Sequence, residues 1–548
     1  MLILFRFSRG YSYHAKQSTK QTGKEIEKGG FHLKKKKVFG TVLASMLAVG
    51  MAVGCSSTST QTESSSTAKV VEPPKAADLK PVTLRMVTQN HPIWPYNKNW
   101  VVYKTVEEKT KIHLEVQTPP GNDYEATINL TVASGDMPDF MLVPTVTLAN
   151  RYGQQGAFAD LTPYIDSMPN FKKFLQARPE QHAAILSADG KYYFFPNAGL
   201  EKQLRTTWMY REDIFKKHGL KLPSTYDELG ELLKKLKELY PDSYPFTIYN
   251  KLDKFNSMAA NFNTAHVPYY DYEKKEWRFG PAEDNYKVMV EYLNKFYKAG
   301  YIPPDFMAHQ RKQHQDLFAQ NKSFLTVDAI GLIDEYTEPL KKIMPEFQLS
   351  YMPPPAGGPN GVKKMPFIGM ENRGFSVAST SKNLKDVMRY FDFMYSDEGK
   401  KIASWGKEGE TYTVENGKNK YKPEFTSFAD LRIKTGIVTP GSYVDMDFDA
   451  YVDLSSPQLK EAFKLVEGFE NKPQPRIAFN EKEMETLTTI GQAVEKHRDE
   501  NIAKFVMGQR NISEWNQFVE ELKKLGLQKM MDEYKAAYDR TLKNMGSK

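Results

Sequence analysis

From Pro81 the chain alternates apolar and polar positions. Val82-Thr83-Leu84-Arg85-Met86-Val87 reads as a half-buried strand. Residues 100–109 change to a helical period, with Trp100, Tyr103 (or Lys104) and Val106 on successive turns, and Ile112, Leu114 and Val116 alternate again. Strand, helix, strand in this order predicts a βαβ unit and an α/β lobe. Ser134-Gly135-Asp136-Met137-Pro138 predicts a turn, and the apolar run through Leu142 a buried strand. Thr162 is placed to cap a helix that starts at Pro163. Residues 189–196 read as a turn, a strand and a stop.

Residues 208–240 are expected to be mainly helical. Ser224 with Asp227, or Thr225 with Glu228, resembles a capping box. Leu229, Leu232, Leu233, Leu236 and Leu239 then form an apolar stripe, which marks a core face. Residues 284–299 repeat the theme with Val288, Tyr292, Leu293 and Phe296. Residues 353–361, PPPAGGPNG, predict a loop or crossover. Near the end Trp515, Phe518, Val519, Leu522 and Leu525 keep a helical period that Gly526 terminates. No repeat of 20–50 residues is present.

Upstream of this body the pattern changes. Residues 34–54 hold four lysines, seventeen uncharged residues and the small residues Ala52-Val53-Gly54, directly before Cys55. That order is the layout of a secretory signal. A membrane anchor is the other reading, but seventeen residues fall short of the about 20 that a span requires. The cysteine at the cleavage point resembles the lipobox of bacterial lipoproteins, which implies that Cys55 is lipidated and becomes the mature N-terminus. The usual Leu three residues earlier is Ala52 here. Residues 1–33 are polar and basic without a helical period, and translation is expected to begin near Leu33. Residues 56–67, SSTSTQTESSST, have nothing to bury and predict a flexible linker.

The signal alters the charge balance. The chain carries 75 basic and 67 acidic residues, a net of +8. Residues 1–54 hold ten of the former and two of the latter, so removing them leaves 65 of each. A nucleic-acid binder needs a basic surface that it keeps, so nucleic acid is excluded as a partner. Cys55 is the single cysteine, so the body has no disulfide. More than 450 residues of body exceed one ordinary core and predict two lobes.

Six segments in order resemble one family, the family 1 extracellular solute-binding lipoproteins of ABC sugar importers. They are SGDMPDFM at 134–141, FADLTPYID at 158–166, YREDIFKKHGLKLPSTYDEL at 210–229, DLFAQNKSFLTVD at 316–328, FMYSDEGKKIASWGKEGETY at 393–412, and the tail at 505–540. The resemblance implies an α/β, helix-rich, two-lobed type II periplasmic-binding-protein fold with its ligand cleft at the hinge. The expected organisation is a signal peptide with an N-terminal extension at 1–54 and the lipidated cysteine with its linker at 55–79. Lobe 1 begins at 80–195, lobe 2 follows at 196–352, 353–400 returns to lobe 1, and 401–548 is a mainly helical part packing on both. It further implies a carbohydrate ligand, permease subunits of an ABC transporter as partners, a monomer, and a lipid anchor on the outer face of the cytoplasmic membrane of a Gram-positive-type bacterium. Many relatives carry a calcium-loop-like segment after the helix at 225–240. Here that stretch, YPDSYPFTIYN, offers only Asp242, and a hard cation needs six to eight oxygens. No metal site and no cofactor are carried over.

Enzyme signatures such as HExxH, GxSxG, a phosphate loop or CxxC are missing from the sequence. His309 and His314 are five apart and read as surface histidines. Asp445-Met446-Asp447-Phe448-Asp449 would put three carboxylates on one face of a strand, where they could accept hydrogen bonds from sugar hydroxyls, or it is a solvated edge. A glycan hydrolase with paired carboxylates is the alternative function, and a non-catalytic adhesin a third.

Aromatics make up 13% of the chain. A sugar has an apolar face and a rim of hydroxyls, so it is bound by a flat ring with polar groups around it. Three clusters have that make-up: residues 91–97 after the first strand, from His91 through Trp94 to Asn97; residues 205–211 after the first crossover, with Arg205, Trp208, Tyr210 and Arg211; and residues 371–375 after the return crossover, with Glu371, Asn372 and Arg373. The candidate ligand-binding residues are Trp94, Asn97, Arg205, Trp208, Tyr210, Arg211, Asn372 and Arg373 from these clusters, with Trp405 and Asp445. Arg205, Arg211 and Arg373 would suit a uronate if they face the cleft. Trp277 reads as peripheral, in a hairpin, and Trp515 as core.

Overall fold

A computed structural model describes residues 79–91, 94–119, 124–366 and 368–546. The signal segment, Cys55 and the linker lie outside these residues. Among the described residues no helix is long and apolar enough to cross a membrane.

In chain order the strands are β1 Val82–Val87, β2 Ile112–Gln117, β3 Phe140–Val143, β4 Phe195–Pro196, β5 Thr206–Arg211, β6 Pro268–Asp271, β7 Glu276–Phe279, β8 Leu325–Ala329, β9 Leu349–Met352, β10 Gly374–Val377, β11 Tyr412–Glu415 and β12 Lys418–Tyr421. The first sheet has the order β2-β1-β3-β10-β4. β1 runs parallel to β2, with Val82 opposite Ile112, and parallel to β3. The helix Val101–Thr110 makes the crossover between β1 and β2 and buries Val102 and Val106. This is the expected βαβ unit. β10 enters antiparallel between β3 and β4.

The second sheet has the order β8-β5-β9, with β5 antiparallel to both neighbours. Here the sequence reading fails. The strand TTWMYR stands where helix is expected, because a short strand buried on both faces shows no alternation. Period 2 still separates its two faces. Trp208 packs into the core of the second lobe with Phe246 and Tyr226. Met209 belongs to the other core, which runs from the first sheet through the hinge. The expected helix at Tyr226–Leu239 is present. Thr225 accepts from the Glu228 N–H at 3.2 Å, and the Glu228 carboxylate accepts from the Ser224 N–H at 2.6 Å. Thr162 opens only a 3-10 turn, Thr162–Ser167, whose first N–H is capped by Asp160 instead.

Residues 197–205 and 353–373 run between strands of the first sheet and strands of the second, and residues 466–480 pass beside them. The first is clamped to the segment around Asp445. The Ala198 N–H donates to the Val444 carbonyl at 2.8 Å, and the Met446 N–H to the Ala198 carbonyl at 3.0 Å. The approach is close enough that a Cβ on Gly199 would lie 2.1 Å from the Met446 oxygen, and φ there is +99°. Only glycine fits. The other two segments pair through Met365 with Phe469 and Asn471, at 2.8 Å each. The final helices return to the second lobe, where Trp515, Phe518 and Leu522 are buried as their period predicts.

Candidate functional site

The loops after β1 and β3 open at the C-terminal ends of two parallel strands, where α/β sheets place ligands. They form one wall of a cavity of about 380 Å³. The first crossover contributes Leu200 and Gln203, the return crossover contributes Glu371, Asn372 and Arg373, and the segment after the helix Phe428–Thr435 contributes Val438 and Tyr443.

Trp94 forms the aromatic part of the wall. Its indole stacks on His91, centroids 3.6 Å apart and planes within 1°. The Arg432 guanidinium lies over the same indole, 4.8 Å from its centre. The Trp94 Nε1 is buried and has no hydrogen-bond partner among the described residues. Burial, helped by the charges of Arg432 and Arg373, draws the His91 pKa down to about 4, so the imidazole is neutral at physiological pH. Arg432 is held by its Nε donating to the Val438 carbonyl at 3.2 Å. Val438 has φ +58°, a left-handed conformation that is costly for a β-branched residue.

The floor is polar and buried. Glu371, 3% exposed, accepts from the Tyr443 hydroxyl at 2.7 Å and from the Leu200 N–H at 3.2 Å. Burial outweighs both bonds and pushes its pKa up to about 7.

A second cavity of about 570 Å³ lies on the other side of the return crossover, beside Gly369 and Met370. Its first-lobe wall is Val146 and Ala183. Its second-lobe wall is aromatic: Trp277 and Tyr272 from the β6–β7 hairpin, with Tyr534 and Tyr538 from the last helix. Trp277 thus reaches a cavity wall, although its hairpin is expected to be peripheral.

Two sheets joined by two extended connections, with cavities beside those connections, frame the site. The family model for bacterial extracellular solute-binding proteins matches residues 98–401. The chain belongs to this family. The solute-binding protein is 24% identical over 508 residues to the fructooligosaccharide ABC transporter substrate-binding protein FusA of Streptococcus pneumoniae, covering 83% of this chain and 91% of that one. It is 23% identical over 462 residues to the polygalacturonan/rhamnogalacturonan-binding protein YtcQ of Bacillus subtilis, covering 79% and 87%. Among solved structures it resembles the alginate-binding protein AlgQ2, with a TM-score of 0.72 and 24% identity over 84% of this chain and 98% of that one. The two-lobed α/β fold is that of these proteins.

The expected ligand-binding residues of the solute-binding protein separate into two groups. Trp94, Asn372 and Arg373 line the first cavity. Asn97 sits beside Trp94 on an adjoining shallow surface, its side chain accepting from the Asn99 N–H at 2.9 Å.

The others are drawn into structure. Trp208 is 1% exposed and donates to Asn261 at 3.0 Å. Arg211 is fully buried, gripping Asp213 through two nitrogens and the Phe318 carbonyl through a third. Tyr210 packs edge-on against Phe215 in the second lobe. Arg205 pairs with Glu470 at 2.7 Å and so ties the first crossover to residues 466–480. Trp405 is 3% exposed and donates to Asp447 at 2.9 Å. Asp445 is held between Arg178 at 2.9 Å and Lys400 at 3.0 Å. The acidic run is no strand face, since Asp447 caps the short helix Phe448–Asp453.

His309 and His314, expected at the surface, are buried. His314 bonds Tyr336 at 2.7 Å and Thr326 at 2.9 Å, and burial pulls its pKa down to about 3. His91 and Glu371 open the first and third clusters expected from the sequence, and both line the cavity, although neither stands among the expected ligand-binding residues. Arg432 and Tyr443 are not anticipated, and nothing local marks them.

Proposed function

We propose that this solute-binding protein captures an oligosaccharide at the hinge and presents it to an ABC importer, tethered through a lipidated Cys55 to the outer face of the cytoplasmic membrane. The observation that carries the reading is the first cavity. It sets an aromatic group, Trp94 with His91, beside polar side chains from both crossovers. A ligand there touches segments that must bend when the lobes move, so it shifts the open–closed equilibrium by its differential contacts. The fructooligosaccharide and polygalacturonan relatives support a carbohydrate ligand.

Binding is favoured over hydrolysis. A glycoside hydrolase sets two carboxylates about 5–9 Å apart at the scissile bond, whereas Glu371 is the one carboxylate among the residues lining the first cavity. A glycan panel read by thermal shift and by release of reducing ends tests this. Stabilisation without cleavage supports capture, and cleavage supports the hydrolase. The anchor is tested by Cys55→Ala, which should move the protein from the membrane fraction to the medium.

A further inference from the structure

The first cavity carries two guanidinium groups, Arg373 and Arg432, that make no ion pair among the described residues. Two other arginines near the hinge are paired: Arg205 with Glu470, and Arg178 with Asp445. Arg432 directs one N–H to the Val438 carbonyl, and its terminal nitrogens have no protein acceptor among the described residues. Two carboxylates whose charge reaches these arginines, Glu371 for Arg373 and Glu335 for Arg432, are engaged by other groups. Glu371 accepts from Tyr443 and from the Leu200 N–H, and Glu335 is held by Arg311. The two cations also repel each other, and each acts on His91. The cavity therefore presents an excess of fixed positive charge next to an indole.

We propose that the first cavity recognises a saccharide bearing a carboxylate, a uronate unit, whose carboxylate sits between Arg373 and Arg432 while its ring lies against the Trp94–His91 pair. This deepens, and rests on, the carbohydrate reading. The guanidinium fork matches the two coplanar oxygens of a carboxylate, which a hydroxyl cannot replace. Together the guanidinium forks would discriminate for charge, and the aromatic pair for a ring. The buried Trp94 Nε1 is a further donor that finds no acceptor among the described residues.

The test is calorimetry on the mature chain with three probes of equal length: a trigalacturonate, the neutral galactose trisaccharide of the same linkage, and a sulfated trisaccharide. The trigalacturonate is expected to bind about tenfold tighter or more than the neutral probe, the scale of one charge-assisted hydrogen bond, and to weaken as salt is added. Arg373→Gln and Arg432→Gln should each remove about tenfold of that affinity and so narrow the margin over the neutral probe; an unchanged margin in Arg373→Gln overturns the proposal. Arg373 is exposed, so its variant folds even if the Arg432 variant does not. Equal or tighter binding of the neutral probe overturns the uronate proposal while leaving the carbohydrate reading standing, and so does a preference for sulfate. Binding of no saccharide at all overturns both.

Discussion

The imidazole of His91 lies flat on the indole of Trp94, with centroids 3.6 Å apart and planes within 1°. Two residues three apart in a loop thereby become one apolar slab. Burial and two nearby guanidiniums keep the imidazole uncharged above about pH 4, so it stacks as an apolar ring.

Trp94→Ala should therefore weaken ligand binding, because the indole backs the His91 ring and carries the Arg432 guanidinium; a loss of about 1–3 kcal/mol is expected, the scale of a nucleic-acid base stacked on an aromatic ring. Thermal stability should change little, because the indole is only half-buried. Calorimetry with the bound sugar and a melting curve measure the two effects. Unchanged affinity would remove Trp94 from the site.

Trp208→Ala should do the opposite. The side chain is 1% exposed, stacks on Phe246 and donates to Asn261. Truncating a core tryptophan costs about 3–5 kcal/mol. Denaturant unfolding should show that loss, and the surviving folded fraction should bind ligand normally. A large affinity loss with intact stability would refute the core assignment.

Asp445→Ala should destabilise without touching affinity. The carboxylate is held between Arg178 and Lys400, which are about a third exposed, and its removal leaves two partly desolvated cations. A cost of about 2 kcal/mol is expected, below the 3–5 kcal/mol of fully buried pairs. Urea midpoints at constant slope would show it. The affinity of the variant decides whether Asp445 contacts ligand.

Glu371 ties stability to pH. Its folded pKa of about 7 lies above the ordinary 4.5. Between those values the folded state holds a proton that the unfolded chain has lost, so this group's contribution is complete below about pH 4.5 and disappears as pH rises through 7. A folded pKa one pH unit above the unfolded one corresponds to about 1.4 kcal/mol. Glu371→Gln should match the wild type near pH 4.5 and exceed it by about 1–3 kcal/mol at pH 8. An equal difference at both pH values would sink the idea.

Local pattern carries the elements whose faces differ in polarity. β1, the helix Val101–Thr110 and β2 each have one wet side, and the Tyr226–Leu239 helix has a leucine stripe beside charged positions. β5 reads as helix because it has no wet side. His309 and His314 read as surface residues because their neighbours are polar, yet Tyr336 and Thr326 wait for His314 on distant segments.

Six short segments in order are enough to indicate the family, since a fold tolerates change everywhere but at its turns, caps and stripes. The site is less legible. Composition names residues able to bind a sugar, and Trp94, Trp208 and Trp405 qualify alike. Which one faces a cavity depends on whether a partner such as Asn261 or Asp447 comes within hydrogen-bond reach from far along the chain. The same holds for charge. Arg205 and Arg211 found carboxylates, while Arg373 and Arg432 did not. Sequence by itself determined the amphipathic elements, the family and the kind of chemistry available. Tertiary structure alone decided which aromatic ring and which cations stay unsatisfied, because satisfaction is a property of pairs brought together by folding.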